Sequence, residues 1–195
     1  MIPCSPGPEP ERFDARTRKR GLRWLAKHPK PAANTPGKQW RPRDYWSEFR
    51  NELADAFRQL CAYGAMYEPV GTVDHFISCD TDETKAYEWS NYRFCSQWIN
   101  SSKQTSDAGV LDPCDVKDGW FKIILPSLQL VLGDRIPANR RKLAEDTLTR
   151  LHLKHDERII RQRRVWYELY QSGRLSLGGL RQIAPLIARA VEEQG

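Results

Sequence analysis

No stretch of this 195-residue chain is apolar for long enough to suggest a membrane span, which takes roughly 20 consecutive apolar residues as a helix. The start, Met1-Ile2-Pro3-Cys4-Ser5-Pro6, lacks the charged opening and apolar stretch of a secretory leader, so a cytoplasmic protein without membrane contact is expected. Cysteine is sparse: Cys4, Cys61, Cys79, Cys95 and Cys114 are odd in number and scattered, which argues against a disulfide framework. Internal repeats, a glycine-rich phosphate loop and an ATP motif are all missing, so any nucleotide-driven step belongs to a partner. Acidic excess is missing too. The 31 Lys and Arg outweigh 25 Asp and Glu, for a net charge of +6, a balance that permits nucleic-acid binding without demanding it.

What is present suits a globular protein. The hydrophobic fraction of 39% over 195 residues is enough for a sizeable core. Three regions are expected: a basic, partly disordered arm with a short helix over 1–44, a helix with the candidate site over 45–104, and a β-hairpin with a helical remainder over 105–195. Residues 1–11 carry four prolines and read as disordered or extended. Arg12–Lys27 is helical in pattern but interrupted at Gly21, and its Arg16, Arg18, Lys19, Arg20 and Arg23 suit either a phosphate-contacting arm or the solvated face of a docked helix. Pro29-Lys30-Pro31 and Asn34-Thr35-Pro36-Gly37 mark a loop. Over Arg43–Leu60, Trp46, Phe49, Leu53, Ala56, Phe57 and Leu60 recur at helical spacing, predicting one amphipathic helix whose aromatics are core.

Farther on, Trp120–Leu125 and Leu128–Leu132 predict a hairpin around Pro126-Ser127. Helices follow at Ala138–Leu151, at Asp156–Gln171 ending before Gly173, and at Leu175–Glu193, interrupted by Gly178-Gly179 and bent at Pro185. Arg158, Arg161, Arg163 and Arg164 form the candidate nucleic-acid-binding cluster, with an exposed face paired to Asp156 and Glu157 as the other reading.

Chemistry concentrates in Thr72–Lys103. Val73 and Phe76 flank Asp74-His75 in a β-prone run, placing that pair at a strand end, and Tyr92-Arg93-Phe94 is a second short strand. Ser96 suits a helix cap, with Asn100 and Lys103, three apart, on one face of the helix it starts. Between them, Asp80, Asp82 and Glu83 look like a calcium loop only superficially, lacking Gly at the sixth position and Glu at the twelfth. Cys79–Lys85 therefore reads as a solvated loop.

His75, Asn91 and Asn100, in that order and spacing, resemble the HNH endonucleases of the ββα-metal type, in the variant ending in Asn. Cys61-Ala62-Tyr63, Tyr87-Glu88-Trp89-Ser90-Asn91-Tyr92 and Asn100-Ser101-Ser102-Lys103 are similar to small HNH proteins of bacterial retron and Septu-type defence systems. The resemblance implies an α+β fold, with a ββα-metal core flanked by N-terminal helices and a mostly helical C-terminal region. It implies a metal-dependent endonuclease acting on nucleic acid, DNA before RNA, in antiviral defence beside an operon-encoded ATPase. His75 would be the general base, Asp74 and Asn100 the ligands of Mg2+ or Mn2+, Asn91 a support that orients His75, and Lys103 a phosphate contact. The Cys-x-x-Cys pairs that hold zinc in many HNH proteins are missing, since Gly64 and Ile99 stand at the expected places. No structural zinc is expected, with Tyr63, Met66, Trp98 and Ile99 packing instead. The alternative is a non-catalytic nucleic-acid-binding or protein-interaction module that keeps the fold.

Overall fold

A short antiparallel hairpin followed directly by a helix lies at the centre of the chain. In the computed structural model, which describes residues 1–31, 40–105 and 107–194, β1 (Thr72–His75) pairs with β2 (Tyr92–Cys95), Asp74 facing Arg93 and His75 facing Tyr92. Helix α3 (Gln97–Lys103) starts after Ser96 and packs on β1. Ser96 has extended backbone, as a cap requires, but its hydroxyl makes no capping bond. The expected loop at Asn34–Gly37 lies outside the described residues.

Two helices flank the hairpin on its N-terminal side, α1 (Lys19–Lys27) and α2 (Arg50–Ala56). A π-helical turn, Asp14–Arg18, leads into α1, and Gly21 lies on the Tyr87 ring, where a Cβ would come within 2.2 Å of ring carbon. Residues 1–11 have no helix or strand, yet Met1 and Ile2 are buried and Trp89 Nε1 donates to the carbonyls of Pro6 and Gly7 at 3.1 and 3.2 Å. That stretch is thus extended and packed. Phe13 joins it to the core, meeting Phe49, Trp89 and Tyr92 edge-on at centroid distances of 5.2–5.6 Å.

The single helix expected over Arg43–Leu60 is much shorter. Asp44 accepts from Ser47 N at 2.9 Å, a 3-10 turn covers Ser47–Phe49, and α2 stops at Ala56. Arg58 and Gln59 both adopt φ +56°, reversing the chain so that Leu60 bridges to Tyr67. Phe57 and Leu60 are buried there as they would have been in a continued helix, which is why their spacing read as helical.

Toward the C-terminus, β3 (Phe121–Ile124) pairs with β4 (Gln129–Leu132), and α4 (Ala138–Arg150) and α5 (Glu157–Gln171) follow. Asp156 caps α5 by accepting from Arg158 N at 2.9 Å. The last predicted helix is two, α6 (Leu177–Ile183) and α7 (Pro185–Glu192). The break falls at Ala184, before Pro185 at the first position of α7; Gly178 and Gly179 lie within α6, whose cap Ser176 bonds Gly179 N. The architecture is mixed helix and strand, with two small antiparallel sheets among the described residues. None of the described helices is long and apolar enough to cross a membrane.

Candidate functional site

The pleat of β1 decides how the Asp-His pair is used. Successive side chains on a strand leave opposite faces, so the two neighbours part company. Asp74 goes inward and is 2% exposed. Tyr63 Oη donates to its Oδ2 at 2.7 Å, and Lys103 Nζ stands 3.2 Å from its Oδ1. Lys103 is 0% exposed and spends its remaining donors on the carbonyls of His75, at 2.9 Å, and Phe76, at 3.0 Å. An ammonium taken from water needs such a full set of partners. Burial, followed by the Asp74 charge, holds the Tyr63 hydroxyl well above its ordinary pKa, so it remains a donor.

His75 turns the other way. Its Nε2 lies 3.0 Å from the Ala86 carbonyl, which also accepts from Tyr92 Oη at 2.7 Å. A carbonyl only accepts, so Nε2 carries the proton and Nδ1 keeps its lone pair. The ring is wedged edge-on between Trp46 and Tyr92, at centroid distances of 4.5 and 5.1 Å. Burial lowers its pKa, against the opposing pull of the Ala86 carbonyl and Asp74. Nδ1 has no protein partner among the described residues, and the imidazole lines a cavity of 850 Å³.

Asn100 lines the same cavity, its Nδ2 3.4 Å from the Val73 carbonyl on β1. That donor contact leaves Oδ1 as the end of the amide available to a ligand. Asn100 and Lys103 thus share the α3 face toward β1, reaching the carbonyls of Val73 and His75, but only Asn100 borders the cavity.

Asn91 acts through the loop rather than on the imidazole. Its Oδ1 accepts from Ile77 N at 2.8 Å, and its Nδ2 donates to the carbonyls of Ile77 and Lys85, each at 2.9 Å. Lys85 precedes Ala86, so the amide clamps the segment that presents the carbonyl held by His75. That segment was expected to be a solvated loop. Its end is instead a 3-10 turn, Glu83–Tyr87, capped by Asp82, with Ala86 and Tyr87 buried. No side-chain pattern marks Ala86, whose contribution is a backbone oxygen. Trp46 carried a signal, its aromaticity, which helical spacing assigned to the core.

The arginine cluster does not act as one surface. Arg163 is buried and donates to the carbonyls of Leu128 and Leu153, both at 2.9 Å, and of Lys154 at 3.4 Å. Desolvation pushes its pKa down to about 9, and a group so enclosed meets no phosphate. Arg158 pairs with Asp156 at 2.9 Å and lies over Trp98, and Arg161 pairs with Glu157. Only Arg164 of the four is exposed without a carboxylate partner among the described residues.

As a cation site the set is incomplete. Asn100 borders the cavity, but the Asp74 carboxylate is behind β1 and already neutralised by Lys103, so the two expected ligands do not converge. Among the described residues no three His, Cys, Asp or Glu side chains group as metal ligands. Tyr63, Met66 and Ile99 are buried in the core and Trp98 packs against it. Compared with protein-family models, curated proteins and solved structures, the chain matches none.

Proposed function

We propose that this chain is an HNH-type phosphodiester hydrolase acting on nucleic acid, DNA before RNA, with His75 as its general base. The observation that carries this reading is the state of one ring: a neutral imidazole, its Nε2–H fixed on Ala86, its Nδ1 without a protein partner among the described residues, beside a cavity shared with Asn100. Nδ1 takes a proton from water as the water oxygen attacks phosphorus, the P–O bond to the leaving oxygen breaks, and that oxygen takes up a proton from solvent. The Ala86 carbonyl, holding Nε2–H, supports the imidazolium that forms. Asn100 orients the phosphate, Asn91 fixes the loop behind His75, and Lys103 positions the end of β1 from inside.

A divalent cation such as Mg2+ or Mn2+ is the usual neutraliser of phosphate charge in such chemistry. Asp74, held by Lys103 and Tyr63, does not fit as its ligand. The resemblance to defence-system proteins alone supports an antiviral role beside an ATPase.

A second reading is favoured by that same Asp74–Lys103 contact: a nucleic-acid-binding or protein-interaction module that keeps the shape without turnover. Nicking of supercoiled plasmid, titrated with Mg2+ and Mn2+ against chelator, separates the two. Metal-dependent nicking supports the hydrolase; binding without nicking at every metal concentration supports the module.

A further inference from the structure

Two basic stretches stand out in the sequence, and the structure treats them differently. On α5, Arg158 and Arg161 are answered by acids and Arg163 is buried, which leaves Arg164 alone exposed without a carboxylate partner among the described residues. On the N-terminal segment the positive charges divide. Arg16 pairs with Glu48 at 2.7 Å, Arg18 with Glu9, Asp14 and Glu88, and Lys19 with Asp14 at 2.8 Å. Arg20, Arg23 and Lys27 have no carboxylate partner among the described residues. Spaced by three and four, they lie along one face of α1.

With Trp24 and Tyr45 these three line a shallow depression of 300 Å³. The Arg20 guanidinium lies 4.5 Å from the Tyr45 ring centroid and that of Arg43 lies 5.5 Å from the same ring. Gathering unanswered cations costs repulsion, and that cost is offset when a polyanion lies across them. From Arg20 to Lys27 the helix rises about 10 Å, enough for about three phosphates at 3.4 Å along one strand.

A tryptophan of this depression neighbours one that lines the His75 cavity. Trp24 is 6.1 Å from Trp40, centroid to centroid, and Trp40 lines that cavity together with Arg41. Trp24 and Trp40 therefore join the two surfaces through adjacent side chains.

We propose that the α1 face of Arg20, Arg23 and Lys27, with Tyr45 and Arg43, holds the sugar–phosphate backbone of the nucleic acid whose reacting bond enters the His75 cavity. The inference rests on the hydrolase reading for the direction of the strand, while backbone binding is measurable without turnover. It moves the nucleic-acid surface from α5 to α1.

The test is fluorescence anisotropy of a labelled 20-base-pair duplex, with a single strand of equal length in parallel, on a His75→Ala background that prevents cleavage. Salt is titrated for this protein, for Arg23→Gln/Lys27→Gln, and for Arg158→Gln/Arg161→Gln/Arg164→Gln. Among the described residues Arg23 bonds only within its own helix, to Lys19 O at 3.0 Å, and both replaced α1 side chains are exposed, so the double variant should fold; its thermal midpoint checks this. Each phosphate contact contributes about 0.9 to the slope of log K against log salt on duplex DNA. The double variant should lose about two such increments, and the triple variant on α5 at most one. An unchanged slope for the double variant, an equal loss in the triple, or no binding of either nucleic acid overturns the proposal. So does equally tight binding of polyglutamate, which would point to an acidic protein. If the double variant loses its slope but the wild type never nicks plasmid, the hydrolase reading fails alone. If the wild type nicks and the slope is unmoved, the α1 surface fails alone.

Discussion

The Lys103 ammonium lies 3.2 Å from the Asp74 carboxylate, and both are shut away from solvent, at 0% and 2% exposure. The pair fastens α3 to the end of β1, one residue before the imidazole on the cavity side. A residue expected to touch phosphate and one expected to ligate a cation are thus partners of each other.

Removing one member of a buried ion pair leaves the other uncompensated, at a cost of about 3–5 kcal/mol. Lys103→Met should show this loss in urea denaturation, since two backbone carbonyls, of His75 and Phe76, lose their donor along with Asp74. Asp74→Leu combined with Lys103→Met should recover part of it. Stability of Lys103→Met within experimental error of wild type would contradict the pairing. An Asp74→Asn protein that folds normally but cannot nick would place that carboxylate in the chemistry instead.

The pKa of His75 is lowered by burial from its ordinary 6.5. Below 6.5 the unfolded chain binds a proton that the folded one still refuses, so this group's contribution is complete above 6.5 and is lost as pH falls toward the folded value. A His75→Gln variant should therefore lose less stability than wild type on acidification through that window. For catalysis, the acid limb of the pH–kcat/KM profile should bend below 6.5, because the base form persists to lower pH. NMR titration of the imidazole checks the assignment, and an inflection above 6.5 would contradict it.

Asn91 satisfies three backbone groups with one amide. Asn91→Ala leaves them unpaired, at about 1–3 kcal/mol for each group that water cannot reach. The expected outcome is faster hydrogen exchange across residues 77–86 together with a fall in nicking, since the Ala86 carbonyl no longer holds its place. Exchange rates unchanged in that segment would show that the loop is held by something else.

Arg163 and Arg164 are neighbours with opposite roles. Arg163→Ala strips a buried donor from the carbonyls of Leu128, Leu153 and Lys154 and should cost several times more stability than Arg164→Ala, which should stay within about 0.5 kcal/mol of wild type. Comparable midpoints in chemical denaturation for the two variants would refute the buried assignment.

Short-range pattern made much of this chain legible. β-Propensity located both strands of the central hairpin within a residue or two, whereas Pro185, read as a bend in one helix, starts a separate one. Side-chain identity placed His75 and Asn100 as candidates, and both line the cavity. Facing was harder to read. Asp74 and Lys103 carry the right functional groups, but which face of β1 a side chain leaves by depends on the register with β2 and on Tyr63, eleven residues upstream. Charge runs misled for a similar reason: Arg163 looks like its neighbours until the carbonyl ends it caps are in place. The helix expected across Arg43–Leu60 failed at Arg58 and Gln59, whose positive φ no residue preference announces. Ala86 has no side-chain signal to read, because it acts through its main chain.

The proposed hydrolase depends above all on the His75 imidazole removing a proton from attacking water. Plasmid nicking by wild type and by His75→Ala, side by side with Mg2+ or Mn2+ supplied and thermal midpoints matched, tests it most directly. The expected result is a fall in rate on the order of 10²–10⁴ with the fold retained. Nicking by His75→Ala at the wild-type rate would contradict it.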